Sequence, residues 1–332
     1  MRQLSLAEFE SAHIKTFDDK IAETQGIDQF CSSSAWIMSA YEAFAQDDAS
    51  PWIFEGDAGY AALYQSWHER IGRFAQPFEA SWCLASPFAT TEPTELAEEF
   101  FREMHARRTE WDLLFLSGLP RDSVIYAELA TIFSSHYFVG IGPGVLRHRA
   151  SLEGGVDGYL SRRKSKFRAN FRRLGRRAED DGVQVEMYSA SGEDASSVDW
   201  MTLYDRMLDL ETQSWKGQEQ SGIQDEHMRK FYRFMIPRLV AQGSLRIMFL
   251  TLDGEDIAFI FGAVSQGLYR GLQVSFHDAY RKLSPGNLAQ IHMIQYLCDE
   301  DVKTYDLGSE LEYKYDWAED VLETVPLVIR PW

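Results

Sequence analysis

The sequence predicts a mixed α/β protein of two domains, and three observations carry that prediction. At 332 residues the chain exceeds the usual size of one compact domain. Its composition, 45% hydrophobic and 25% charged with 14% aromatic residues, is that of a folded chain with large side chains to fill a core. Short apolar runs bounded by turn residues alternate with longer segments whose apolar positions recur at helical spacing, so strands and helices interleave along the chain.

In chain order, residues 29–45 have helical spacing, and PWIFEG (51–56) followed by YAALYQSW (60–67) reads as two antiparallel strands across a Gly-containing turn. A helix is expected from about Glu92 to Arg107, leading into WDLLFLSG (111–118), a short apolar run bounded by turn residues, and a second helix from about Asp122 to Phe133 leads to HYFVGIGPGVLRHRASL (136–152). Apart from the loop at Gly140 to Gly144, this half holds nothing that resembles a catalytic motif, and its expected role is scaffold and cleft wall. EGGVD at 153–157 is the expected joint, because Gly-Gly frees the backbone and the acids keep it wet, giving domains 1–153 and 154–332.

The second half continues with a basic segment (161–182), a strand in VQVEMYSA (183–190), and helices at about 197–214 and 225–241. SLRIMFLTL and DIAFIFGAV flank the turn Asp253-Gly254-Glu255, and a Ser-Gln-Gly turn at 265–267 leads to LYRGLQVSF, which makes a three-strand antiparallel meander. A polar loop (277–286), a helix from about Asn287 to Glu300 and a strand at KTYDLGS (303–309) complete the pattern.

Several function classes are excluded or disfavoured. No apolar run approaches the roughly 20 residues that cross a bilayer, and the first residues lack the apolar core of a signal peptide, so the expected location is the cytoplasm. Cys31, Cys83 and Cys298 have no metal-ligand spacing and are expected to be reduced, buried thiols; no metal is expected. The motifs of serine hydrolases, P-loop NTPases, zincins and dinucleotide binders are missing. A net charge of −18 argues against a general nucleic-acid binder and suits a cationic or small substrate.

The loop Arg281-Lys282-Leu283-Ser284-Pro285-Gly286, between a meander strand and a helix, has the makings of an anion site. Backbone N–H groups converging at a helix N-terminus favour a pyrophosphate, and Arg281 and Lys282 add cations. The strand order and this loop resemble the acyl-CoA-binding half of the Gcn5-related N-acetyltransferase (GNAT) superfamily, with Ser284 where its signature has Gly and Pro285 lacking an N–H. Ser-Pro-Gly-Asn-Leu before a helix, Tyr-Asp-Leu-Gly-Ser-Glu at 305–310, Tyr-Lys-Tyr at 313–315, the basic helix around Phe167 to Arg177, and Glu211-x-x-Ser214-Trp215-Lys216-Gly217 resemble its CelD-like branch, also called Acetyltransf_6. That branch is related to the Fem peptidoglycan-bridge transferases, which carry two GNAT-like domains and use aminoacyl-tRNA. The resemblance implies that residues 1–150 form a divergent GNAT-like domain and that each domain is a mainly antiparallel twisted sheet flanked by helices.

The expected reaction is direct transfer of an acyl group, acetyl in the first instance, from acyl-CoA to a small-molecule or glycan amine. The expected donor site is the backbone of Gln273, Val274 and Ser275 for pantetheine and Arg281, Lys282, Ser284, Gly286, Asn287 and Leu288 for pyrophosphate. Transfer to an amine needs the amine deprotonated and the leaving thiolate protonated, which assigns Asp306 or Glu310 as base and Tyr313 as acid, with Lys314 beside them and His277 as a second proton carrier. Glu211, Trp215 and Lys216 are candidates for the acceptor side. The rivals are a Fem-like transferase fed by charged tRNA and a non-catalytic GNAT-fold module.

From Arg162 to Arg177 nine of sixteen residues are Arg or Lys, while Phe167, Phe171 and Leu174 form one apolar stripe; the rest of the chain therefore stands at −27. Three readings stay open for this helix: a solvated face balanced by the acidic body, a cradle for CoA phosphates, or a grip on an anionic polymer.

Overall fold

The computed structural model describes residues 1–218, 222–309 and 311–332, and the chain divides into two compact units. Unit 1 comprises 1–146 with 322–332, and unit 2 comprises 147–321.

In unit 1, β1 (Arg2–Leu4) is followed by helices α1 (Ile14–Glu23) and α2 (Ser34–Phe44), then by an antiparallel meander of β2 (Ser50–Glu55), β3 (Gly59–His68) and β4 (Gly72–Pro77). The short β5 (Phe88–Thr90) pairs with β3, and helix α3 (Pro93–Ala106) crosses to β6 (Leu113–Pro120). β6 lies parallel to β4 over only Phe74–Ala75 and Leu113–Leu114. Parallel strands need such a crossover, and the helix serves a second purpose here, since its Leu96, Ala97, Phe100 and Met104 face Leu63, Leu114 and Leu116 in one core. Helix α4 (Val124–Ser134) leads to β7 (Phe138–Ile141), and the C-terminal strand Asp320–Arg330 pairs with both β6 and β7. Between β4 and β5 the backbone folds around the buried Glu79, whose carboxylate accepts the N–H groups of Trp82 (2.6 Å), Leu84 (3.0 Å) and Ala85 (3.0 Å).

Unit 2 repeats this order. After β8 (Val145–Ser151), α5 (Gly155–Ser161) and the basic helix α6 (Ser165–Asp180) come β9 (Gln184–Ser189), α7 (Trp200–Thr212) and α8 (Glu226–Ala241). The meander β10 (Leu245–Leu252), β11 (Glu255–Ser265) and β12 (Leu268–Phe276) follows, then α9 (Pro285–Asp299) and β13 (Thr304–Ser309). The strand order is β8-β13-β12-β11-β10-β9, with only β12 and β13 parallel. Each unit thus contains the succession of one strand, two helices, a three-strand meander, a crossover helix and a strand parallel to the last meander strand.

Local chemistry explains the meander. Asp253 and Gly254 both have positive φ (53° and 82°), the pair of left-handed residues a two-residue hairpin requires, and Gln266 and Gly267 (50° and 75°) repeat it. The strands between them are buried on both faces, which is why they read as continuous apolar runs and not as alternation.

Two expectations are corrected. The Gly-Gly pair at 154–155 is a tight strand-to-helix turn inside unit 2, because Arg147–Ser151 of β8 hydrogen-bonds β13; the division falls at 146/147, and the chain returns to unit 1 at Leu322. Of the three free cysteines only Cys31 is fully buried, while Cys83 and Cys298 are half-buried.

Candidate active site

Strands β12 and β13 run side by side from Leu268 and Thr304 only as far as Arg270 and Asp306, and beyond that point they part. The register of β12 against β11 shifts where Phe261 and Gly262 face Gln273 and Gly271, which leaves Leu272 as an extra residue at the start of the opening. From there to Phe276 the outer edge of β12 has no strand partner among the described residues.

The closed end is fixed by a buried ion triad. Asp306, 2% exposed, receives Arg147 Nη1 at 3.2 Å on one oxygen, and Arg270 Nη1 and the Gly308 N–H (2.7 Å) on the other. Burial by itself would raise the Asp306 pKa, but the two guanidinium groups and the Gly308 amide hold it below the ordinary carboxylate value. Asp306 is therefore a structural anion and a poor proton acceptor, a correction to its expected role as base. Arg147 and Arg270 were missed in the sequence; Arg270 sits between apolar residues in LYRGLQ, but Arg147 lies in the polar run RHR and carries no local sign of burial.

Two lysines line the opening, Lys314 buried and Lys216 half-buried. Lys314, 7% exposed, donates from Nζ to the Ser309 carbonyl at 2.6 Å. Burial lowers its pKa to about 8, Arg270 acts in the same direction, and Asp306 opposes them. Lys216, on the short helical turn Trp215–Gln218, donates to the Val274 carbonyl (2.9 Å) and to Gln273 Oε1 (3.2 Å). Burial lowers its pKa as well, and Glu211 opposes the shift. Gln273 donates in turn to Tyr232 OH at 3.3 Å.

Because N–H and C=O of one strand residue point to the same side, the bond from Lys216 to the Val274 carbonyl shows that the Val274 amide faces the open edge while Gln273 and Ser275 face β11. One of the three expected pantetheine amides is thus presented to the gap.

The remaining expected residues fall into three groups. Tyr313 follows β13 and is 46% exposed, with Lys314 Nζ 5.9 Å from its ring centre, and burial of the phenol raises its pKa. Glu310 lies outside the described residues. Glu211 is fully buried, receives the Ile223 N–H at 2.7 Å and has a pKa raised by burial against the pull of Lys216, whereas Trp215 is largely exposed. Glu211 belongs to α7, which ends at Thr212, and Trp215 to the separate turn Trp215–Gln218. His277 caps the turn after β12, accepting Ala279 N–H at 3.1 Å, and lines a separate depression of about 560 Å³ with Asp205, Asp209 and Asp256.

The loop before α9 is a 3₁₀ turn, Asp278–Leu283, followed by Ser284 in the left-handed region (φ 56°). Arg281 is 64% exposed and paired to Asp278 at 2.9 Å, and Lys282 is exposed. The N–H groups of Asn287 and Leu288 both donate to the Ser284 carbonyl (3.0 and 3.1 Å), so of the first helical turn only the Gly286 N–H has no backbone partner among the described residues. The anion seat is narrower than the sequence suggests. Among the described residues the charges at the gap are Lys216, Lys314, Arg147 and Arg270 against Asp306 and Glu211, a cationic balance although the chain as a whole is at −18.

Residues 165–315 match the family described as acetyltransferase (GNAT) domain. Unit 2 carries a GNAT acyltransferase domain. Among solved structures, FemX superposes with a TM-score of 0.66 at 11% identity, covering 98% of this chain and 97% of its own. L-PGS from Bacillus licheniformis gives 0.56 at 12% (95% and 91%). The C-terminal domain of a putative lysylphosphatidylglycerol synthetase from Agrobacterium fabrum gives 0.53 at 11% (95% and 90%). At such low identity these superpositions show a shared fold alone. No curated protein matches the sequence. Among the described residues no helix is long and apolar enough to cross a membrane.

Proposed function

We propose that the GNAT domain transfers an acyl group from a pantetheine thioester, acetyl-CoA or another acyl-CoA, to an amine by direct attack in the gap between β12 and β13. The observation that carries this reading is Lys314: a buried amine with a pKa of about 8 where two parallel strands part. At pH 7.4 such a lysine is neutral in roughly a fifth of molecules, against about one in a thousand for an ordinary one. It takes the proton of the incoming ammonium group, while Tyr313, kept protonated by its raised pKa, gives one to the leaving thiolate. The Val274 N–H lies along the path of the pantetheine arm, and the Gly286 N–H with Lys282 stands at the mouth for its phosphate. The cationic lining favours an acceptor that carries an anionic group near its amine, and Lys216 is the residue to meet it.

Titration calorimetry with acetyl-CoA and a longer acyl-CoA, followed by thiol release over a panel of amines, tests this reading. Saturable binding together with amine-dependent thiol release is expected; no binding of either thioester would overturn free acyl-CoA as the donor. The basic face of α6 favours a second reading, in which the donor is an aminoacyl-tRNA as in the Fem transferases. A steep loss of binding with rising salt would mark that donor, because each neutralised phosphate releases counterions.

A further inference from the structure

Helix α6 carries charge that the fold does not answer. Six cations stand on it, and of these only Arg177 has an acidic partner, Asp181, whereas Lys166, Arg168, Arg172, Arg173 and Arg176 form no ion pair with a described residue. Arg168, Arg172 and Arg176 follow one another at intervals of four, where like charges weaken a helix. A chain with 51 acidic residues has the means to neutralise this face and does not. The opposite face is fixed: Phe171, Leu174 and Ala178 share a core with Leu288 and Ile291 of α9, so the basic face stands on the helix whose first turn borders the donor site. Beside it lies an open depression of about 600 Å³ lined by Lys164, Lys166, Phe167, Asn170 and Arg173, with Asp316 as its one acid, paired to Lys164 at 3.7 Å.

We propose that α6 docks an acidic carrier protein, and that the acyl group enters the gap as a thioester on that carrier's phosphopantetheine arm. This rests on the acyl-transfer reading above and names the partner that presents the donor. The positive face is one helix of 16 residues, about 24 Å long, on a chain at −22 elsewhere. A nucleic-acid duplex or an anionic bilayer reaches well past 24 Å into that acidic body and is repelled, while a small protein with one acidic helix meets only the basic strip. The loop at 278–288 points the same way. With Arg281 held by Asp278 and two of its amides turned onto Ser284, it offers little to the nucleotide of CoA and enough for the single phosphate of a carrier arm. The chemistry needs no added reagent: the thioester C–S bond breaks, the amide C–N bond forms, and the proton leaving the amine is matched by one delivered to the carrier's thiolate.

The test compares wild type with the Arg172→Glu/Arg176→Glu variant, both first shown to melt alike. Affinity is measured for acetyl-CoA, for an acidic acyl carrier protein bearing an acetylated phosphopantetheine arm, and for a short RNA duplex, at 50 and 200 mM salt. The expected result is carrier binding at least tenfold weaker in the variant and at high salt, with acetyl-CoA affinity unchanged. Carrier binding that is absent in wild type or unchanged in the variant overturns the proposal. So does an equal loss of acetyl-CoA affinity, which would assign α6 to the nucleotide phosphates, or RNA binding tighter than carrier binding and lost in the variant. Binding of acetyl-CoA without the carrier sinks this proposal alone, whereas binding of neither thioester sinks the acyl-transfer reading beneath it.

Discussion

Replacing Lys314 by methionine should make the protein more stable and nearly inactive. Methionine keeps the unbranched stem but not the charge. The Lys314 pKa falls from 10.5 to about 8 on folding, so holding the ammonium in the folded state at neutral pH costs about 3 kcal/mol, at 1.36 kcal/mol per unit. Against this stands the hydrogen bond to the Ser309 carbonyl, worth about 1 kcal/mol, whose acceptor is left bare. The variant should gain about 2 kcal/mol in urea unfolding at pH 7. The sign of the pH dependence follows from linkage. Between pH 8 and 10.5 the unfolded chain binds the extra proton, so wild-type stability rises with pH across that window, and the variant's advantage disappears above it. The penalty is fully present below pH 8. Activity should move the other way: wild-type kcat/KM should climb through pH 8 and level off, and the variant should lose about 10²–10⁴-fold together with that limb. A variant less stable than wild type at pH 7 would refute the burial argument, and one that keeps the pH limb would refute the role of Lys314 as base.

Three further outcomes are expected. Asp306→Asn leaves Arg147 and Arg270 buried without their anion and should cost about 3–5 kcal/mol, read as a large fall in the denaturation midpoint; a change under 1 kcal/mol would return Asp306 to the list of mobile proton carriers. Gly286→Glu puts a negative charge at the first turn of α9, where the added Cβ meets Phe276 at 3.1 Å; calorimetry should show acyl-CoA affinity down at least tenfold with little change in melting, and unchanged affinity would remove the loop from the donor site. Glu79→Ala in unit 1 deprives the Trp82, Leu84 and Ala85 amides of their acceptor and should cost about 2–4 kcal/mol, with hydrogen exchange rising first in that loop; uniform exchange would mean that the carboxylate does not organise it.

How much was legible depended on the range of the interactions. The β10–β12 meander and the helix bounds were readable within a few residues because hairpin turns, apolar runs and helical spacing are fixed by neighbours in sequence. The motif around Tyr313 and Lys314 lies just beyond β13, and the helical spacing in 165–180 separated a buried stripe from a charged face. Nothing local, however, distinguishes Asp306 from a general base. Its fate is set by Arg147 and Arg270, which lie 159 and 36 residues away in sequence, and desolvation acts only once those side chains are brought together.

The sequence by itself determined the class of element over much of 29–67, 92–133 and 183–309, the meander that supports the donor edge, and the kinship of the second half, since these follow from local patterning; the helix at 14–23 and the strands at 72–77 and 320–330 were not read from it. Tertiary structure alone decided that Lys314 is buried enough to lose its proton near pH 8, that Lys216 turns onto the Val274 carbonyl, and that the last strand belongs to unit 1. It also revealed the repeated topology of unit 1, where no motif survives. Strand pairing, burial and pKa all depend on groups far apart in the chain, and only the folded molecule places them within reach of one another.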